Sequence, residues 1–155
     1  MARYSTIATS SAALAANTAF AALVPGASVA FKLRRVTLGV IAGSSAPTSQ
    51  QVTVGINRGT ARGTASTTAT PQQLDPRSPA SAITGLDTAW SVAPTLASAD
   101  QFVVSFNTQS GVDLPWELLE EFVSATGTAN PIVFVNRTNA LPASHSFTIS
   151  VEHEE

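Results

Sequence analysis

The sequence predicts an all-β protein: an antiparallel β-sandwich or jelly-roll-like barrel of eight or nine short strands, with one long Gly/Pro/Ser/Thr-rich loop. Three observations lead there. Apolar residues recur every second position in several runs, the spacing of a strand with one buried face. Helical spacing is almost absent. Segments rich in Gly, Pro, Ser and Thr separate the runs, as turns require. At 155 residues the chain is read as a single β domain, 1–155, long enough to bury a core without disulfide staples.

Taken in order, residues 1–15 read as an extended N-terminal arm, with a weak strand near Tyr4–Thr9. Ser11–Ala22 has the Ala content of a helix but lacks spaced large residues to bury one face, so a weak strand at Thr18–Val24 is preferred. The first thirty residues also imitate an export signal, with Arg3, an Ala-rich stretch and Ser28-Val29-Ala30. Asn17 and Thr18 interrupt its apolar centre, and the reading is against a signal. Phe31 and Leu33 are apolar at odd positions, whereas Val36, Leu38 and Val40 are apolar at even ones. The phase slips at Arg34–Arg35, which predicts a bulge there.

Val52, Val54 and Ile56 mark the next strand; residues 59–84 follow as the long loop, with Gly59, Gly63, Pro71, Pro76 and Pro79 and almost no large apolar side chain. Loops of that length are functional or disordered, and this one fits equally an arm reaching a neighbouring subunit and a solvated loop with a few salt bridges. A weak strand is expected near Ala89–Val92, and Phe102, Val104 and Phe106 mark a firm one. Trp116–Val123 has room for two helical turns, cut short by Pro115 and the Ser-Ala-Thr-Gly that follows. Pro131–Val135 (PIVFV) is apolar on both faces, which fits a central strand or one whose outer face meets a partner. Gly127-Thr-Ala-Asn130 is expected to pair it with Phe122–Ala125 as a hairpin, and Phe147, Ile149 and Val151 mark the last strand.

Composition bears on partners. The chain holds 26 Ala, 18 Ser and 19 Thr, about two fifths of its length, and only 12% charged residues. That is half the usual share, too little for the surface of a freely soluble monomer; something is expected to cover part of it. A net charge of −2 supplies no basic field for nucleic acid or an acidic membrane, and neither is expected as a partner. Seven of the eight basic residues are Arg, with Lys32 alone as Lys, a bias found at interfaces.

Chemistry is sparse. With no Cys, thiolate metal sites and cysteine nucleophiles are excluded. His145 and His153 fall on the inward phase of the last strand, about 26 Å apart along it, and are read as structural. On a strand Glu117 and Glu121 sit roughly 13 Å apart, beyond the ~5–9.5 Å of paired glycosidase carboxyls. No Gly-x-Ser-x-Gly, P-loop, dinucleotide fingerprint or His-Glu-x-x-His occurs. Trp90, Trp116 and Tyr4, the residues a sugar site would expose, are assigned to core or interface. No enzyme, cofactor or metal is expected.

The layout is similar to that of small virion structural proteins of tailed bacteriophages, of the head-decoration or cement type. The likeness runs from the MARY start through VTLGVIAGSSAPTSQQVTVGINR and QLDPRSPAS to the terminal SVEHEE. Its most specific pieces are Leu74-Asp75-Pro76 with Ser78-Pro79-Ala80 and the acidic end. The resemblance implies a β-rich protomer, often trimeric, made in the host cytoplasm. It would sit on the outside of the virion, bind the major capsid protein and tie capsomers together. The contacts expected with other subunits or the capsid are Arg34, Arg35, Arg58, Arg62, Arg77, Trp116, Ile132 and Phe134. The competing expectation is another assembly or recognition sandwich, such as a tail or fibre component or a carbohydrate-binding module.

Overall fold

Alternation of apolar and polar residues is realised as thirteen strands, and the computed structural model describes all residues, Met1–Glu155, without a helix. The first five are β1 (Arg3–Thr9), β2 (Thr18–Val24), β3 (Lys32–Ala42), β4 (Gln51–Ala61) and β5 (Thr64–Ala69). Then come β6 (Gln72–Gln73), β7 (Gly85–Val92), β8 (Thr95–Leu96) and β9 (Phe102–Asn107). The series ends with β10 (Val112–Pro115), β11 (Phe122–Val123), β12 (Ile132–Asn136) and β13 (His145–Glu154). They form two antiparallel sheets. The first runs β10-β3-β13-β1-β6 with β11 also on β3, and the second runs β5-β7-β2-β12-β4-β8 with β9 also on β4.

The chain crosses between sheets at β1 to β2, β2 to β3, β3 to β4, β5 to β6 and β6 to β7, and again at β9 to β10, β11 to β12 and β12 to β13. Each crossing leaves one face of a strand turned inward, which is what the two-residue period demands. From the first sheet, Leu33, Val36, Leu38, Phe147, Ile149 and Val151 fill the space between the sheets. Val52, Val54, Ile56, Ile132, Phe134, Phe20 and Leu23 meet them from the second. The rings of Phe20 and Phe147 stack across the gap at 4.3 Å between centroids.

Two bulges shape the strands. Glu152 pairs with Arg35 and His153 with Leu33, so Arg34 is the extra residue, where the phase slip falls in the sequence. That bulge turns both Leu33 and Val36 inward despite their odd spacing. In β2 the register slips opposite Phe134/Val135, and both Phe20 and Ala21 reach the core.

Elsewhere the structure departs from the expectations. Residues 1–15 do not form a free arm: β1 lies between β13 and β6, with Tyr4 and Thr6 buried. Beyond it the Ser10 and Ala13 amides donate to the Phe147 and His145 carbonyls, each at 2.9 Å. Residues 59–84 are not one loop, because β4 continues to Ala61, β5 pairs with β7 and β6 pairs with β1. Thr favours strands for its branched side chain, and β5 needs no large apolar residue because it is an edge strand that buries none. The hairpin expected between Phe122–Ala125 and PIVFV does not form. β11 joins β3 in one sheet, while β12 lies between β2 and β4 in the other. A strand apolar on both faces belongs at such a central place. Trp116–Val123 holds a turn and β11 rather than helical turns.

Candidate interaction surface

PIVFV sits in the protomer's own core. Ile132 and Phe134 are buried between the sheets, so they have no surface to give a partner, which corrects their expected role as contacts. Val133 and Val135 are buried on the opposite face with Ala19, Ala22 and Val24, beneath Trp90 and Leu96 of the same chain.

The arginines expected to reach outward are mostly engaged within the chain. Six of the eight basic residues form ion pairs with carboxylates of this chain. Arg34, raised by its bulge, bonds Glu154 and lies 3.4 Å from Glu121, which also receives Lys32. Arg35 grips Asp113 with two bonds of 2.8 and 2.6 Å on the exposed face, and Thr37 adds a third to the same carboxylate. These bonds hold the Asp113 carboxyl below its ordinary pKa. Arg62 donates to both oxygens of the fully buried Asp87, at 2.7 and 2.9 Å, and Thr68 completes the shell. Arg77 folds back on Asp75 within its own turn. Arg58 donates to the Val123 carbonyl at 2.8 Å. Arg137, outside the expected set, binds Asp100, which also accepts from Asn57. Arg35 and Arg77 keep exposed guanidiniums, whereas Arg34 and Arg62 are fixed as internal ties.

Trp116 is half-buried against Phe102 and Phe122, at 6.2 and 5.3 Å between centroids. It anchors a turn, Glu117–Glu120, that carries Leu118 at 66% and Leu119 at 88% exposure. Sequence reasoning weighed the glutamates of this turn but not its two adjacent leucines, which were the signal. In all, nine large apolar side chains are exposed: Met1, Ile7, Ile41, Leu74, Val92, Val103, Leu118, Leu119 and Val123.

Both histidines are buried, as their phase implies. The His145 Nε2 accepts from the Thr48 amide at 2.9 Å and its Nδ1 faces the Ala143 carbonyl, tying a loop to β13. His153 stacks on Tyr4 at 5.3 Å and meets the Phe31 ring edge, with Nε2 3.2 Å from Glu155 and Nδ1 without a partner. Burial pushes its pKa below the ordinary value, and the Glu155 carboxylate opposes that shift.

The outer face of the first sheet holds an open trough of about 610 Å³, lined by Thr37, Gln109, Asp113, Thr148 and Ser150, with Ile7 at its rim. Such a lining can hydrogen-bond a polar chain. Neither Trp lines it, so it offers no ring on which a sugar could stack. The chain matches no family model, no curated protein and no solved structure at a significant level.

Proposed function

We propose that this chain is a non-enzymatic virion structural protein. In this reading it oligomerises, as a trimer, and binds the major capsid protein on the outer face of the head of a tailed bacteriophage, stabilising the mature shell. The observation that carries it is the surface: nine exposed large apolar side chains on a body whose cations are mostly neutralised internally. Such a surface favours being covered over standing free in water. We read the body as a jelly roll, a fold suited to close packing on a shell. The orders β10-β3-β13-β1 and β9-β4-β12-β2 support this, with β5 and β7 as an insertion at the β2 edge. The mechanism is mass action: a protein that binds only the expanded shell adds its binding free energy to that state.

The test is to mix the purified protein with expanded heads that lack it, sediment the heads and heat them. Co-sedimentation at a fixed ratio to capsomers and a higher temperature of head disruption are expected. Heads that sediment without the protein and break at an unchanged temperature overturn the reading.

A further inference from the structure

The first sheet presents two opposite edges with complementary surfaces. At one edge, the Glu117–Glu120 turn links β10 to β11, both of which pair with β3. Its base is firmly held. The Trp116 amide donates to the Arg34 carbonyl at 2.9 Å, the Glu120 amide donates to the Glu117 carbonyl, and the Glu121 carboxylate is buried between Lys32 and Arg34. Its tip is apolar and outward, and Leu119 takes a φ of 75°, a backbone region that bulky side chains rarely adopt. Strain of that kind persists where the surrounding structure imposes it and where function uses it. Glu117 and Glu120 flank the leucines and make no ion pair, whereas Glu121 is neutralised.

At the opposite edge, β1 pairs with β6. Arg3 and Ile7 point outward from β1, and Leu74, whose amide donates to the Arg3 carbonyl at 3.0 Å, lies beside them. Met1, two residues before Arg3, and Leu74 are 82% and 52% exposed, and Ile7, four residues beyond Arg3 on the same face of β1, is 73% exposed. The exposed Arg3 guanidinium makes no ion pair within the chain.

We propose that copies of this chain join head to tail, the Leu118–Leu119 turn of one copy seated on Met1, Arg3 and Leu74 of the next. Leucines then cover apolar side chains, and Glu117 and Glu120 meet the free Arg3. A two-fold pairing of turn on turn would instead face four uncompensated carboxylates across the interface, which costs rather than gains. The two surfaces lie on different edges of one sheet, roughly 20 Å apart at the spacing of neighbouring strands. The contact is therefore heterologous and closes into a ring when the rotation permits. This inference rests on the oligomeric part of the proposed function and not on capsid binding.

Native mass by light scattering across a concentration series tests it on the full chain, with no capsid present. Wild-type protein is expected to assemble. Leu118→Ser with Leu119→Ser removes only exposed side chains and is expected to weaken assembly at least tenfold. Arg3→Glu alone, and Glu117→Arg with Glu120→Arg, are expected to do the same. Combining all three charge reversals restores opposite signs and is expected to restore the wild-type mass. A wild-type chain that stays monomeric throughout overturns the proposal, and so does a combined variant no better than its parts. If the leucine variant keeps its mass but no longer sediments with heads, the turn serves the shell and the proposal falls. Intact assembly without head binding would instead overturn capsid attachment and leave the head-to-tail contact standing.

Discussion

An imidazole buried between Tyr4 and Phe31, with one ring nitrogen unpartnered, gives His153 a direct hold on stability at mildly acid pH. Burial disfavours the charged ring, so its folded pKa lies below the unfolded value of 6.5, although Glu155 offsets part of the shift. Between the folded value and 6.5 the unfolded chain binds a proton that the native chain refuses. Stability therefore rises with pH through that window and falls as pH drops below 6.5. The melting temperature is expected to decline from pH 7 to pH 5 and to decline less in His153→Phe, measured in matched buffers. An equal slope in both proteins would remove His153 as the cause. The carboxylates held low by arginine, Asp100 by Arg137 and Asp113 by Arg35, act elsewhere. Their contribution is present above the ordinary carboxylate value of 3.8 and is lost only below it.

Among the elements, the β5–β7 pair is tied by one buried ion pair. Asp87 in β7 is fully buried and receives Arg62, at the β4–β5 junction, and Thr68 in β5. Removing Arg62 leaves a buried carboxylate without its cation, so Arg62→Ala is expected to cost about 3 kcal/mol, read as a lower urea midpoint. Arg77→Ala is the control: its pair with Asp75 is exposed to solvent, and its loss is expected to leave the urea midpoint unchanged. The same region shows where sequence reading stops. The firm strands were legible because their apolar side chains alternate, and the Arg34 bulge because that alternation slips by one. β5 was not, since an edge strand of Thr and Ala that buries no large side chain carries no such pattern. PIVFV was ambiguous for the converse reason, as both its faces are apolar and only the fold reveals that Trp90 and Leu96 of the same chain cover the outer one. Of the residues expected at contacts, the buried pair Ile132 and Phe134 misled for that reason. That Arg34 and Arg62 serve as internal ties was not legible, because charge partners distant in sequence, such as Arg34 and Glu154, meet only through register.

For the molecule as a whole, connectivity makes the two sheets one cooperative unit. Neither sheet is built from a continuous stretch: β1, β3, β10 and β13 of the first interleave along the chain with β2, β4, β9 and β12 of the second. The inward faces share a single core, in which Phe20 of one sheet stacks on Phe147 of the other. Separating the sheets would expose that core on both sides at about 25 cal/mol per Å² of apolar surface, with no independent core left to hold either. The two tryptophans report on opposite parts of this body. Trp90 covers the outer face of the second sheet, and Trp116 lies where β10 ends beside β3. Unfolding followed by fluorescence in Trp90→Phe and in Trp116→Phe therefore observes the two regions separately. After correction for each substitution's effect on stability by circular dichroism, both fluorescence curves are expected to coincide with the dichroism curve of the same variant. A Trp90 signal lost ahead of the dichroism would mean that the β5–β7 insertion opens on its own. A Trp116 signal lost first would instead make the Glu117–Glu120 turn a separately mobile piece, poorly suited to seat on a neighbouring copy as a fixed knob.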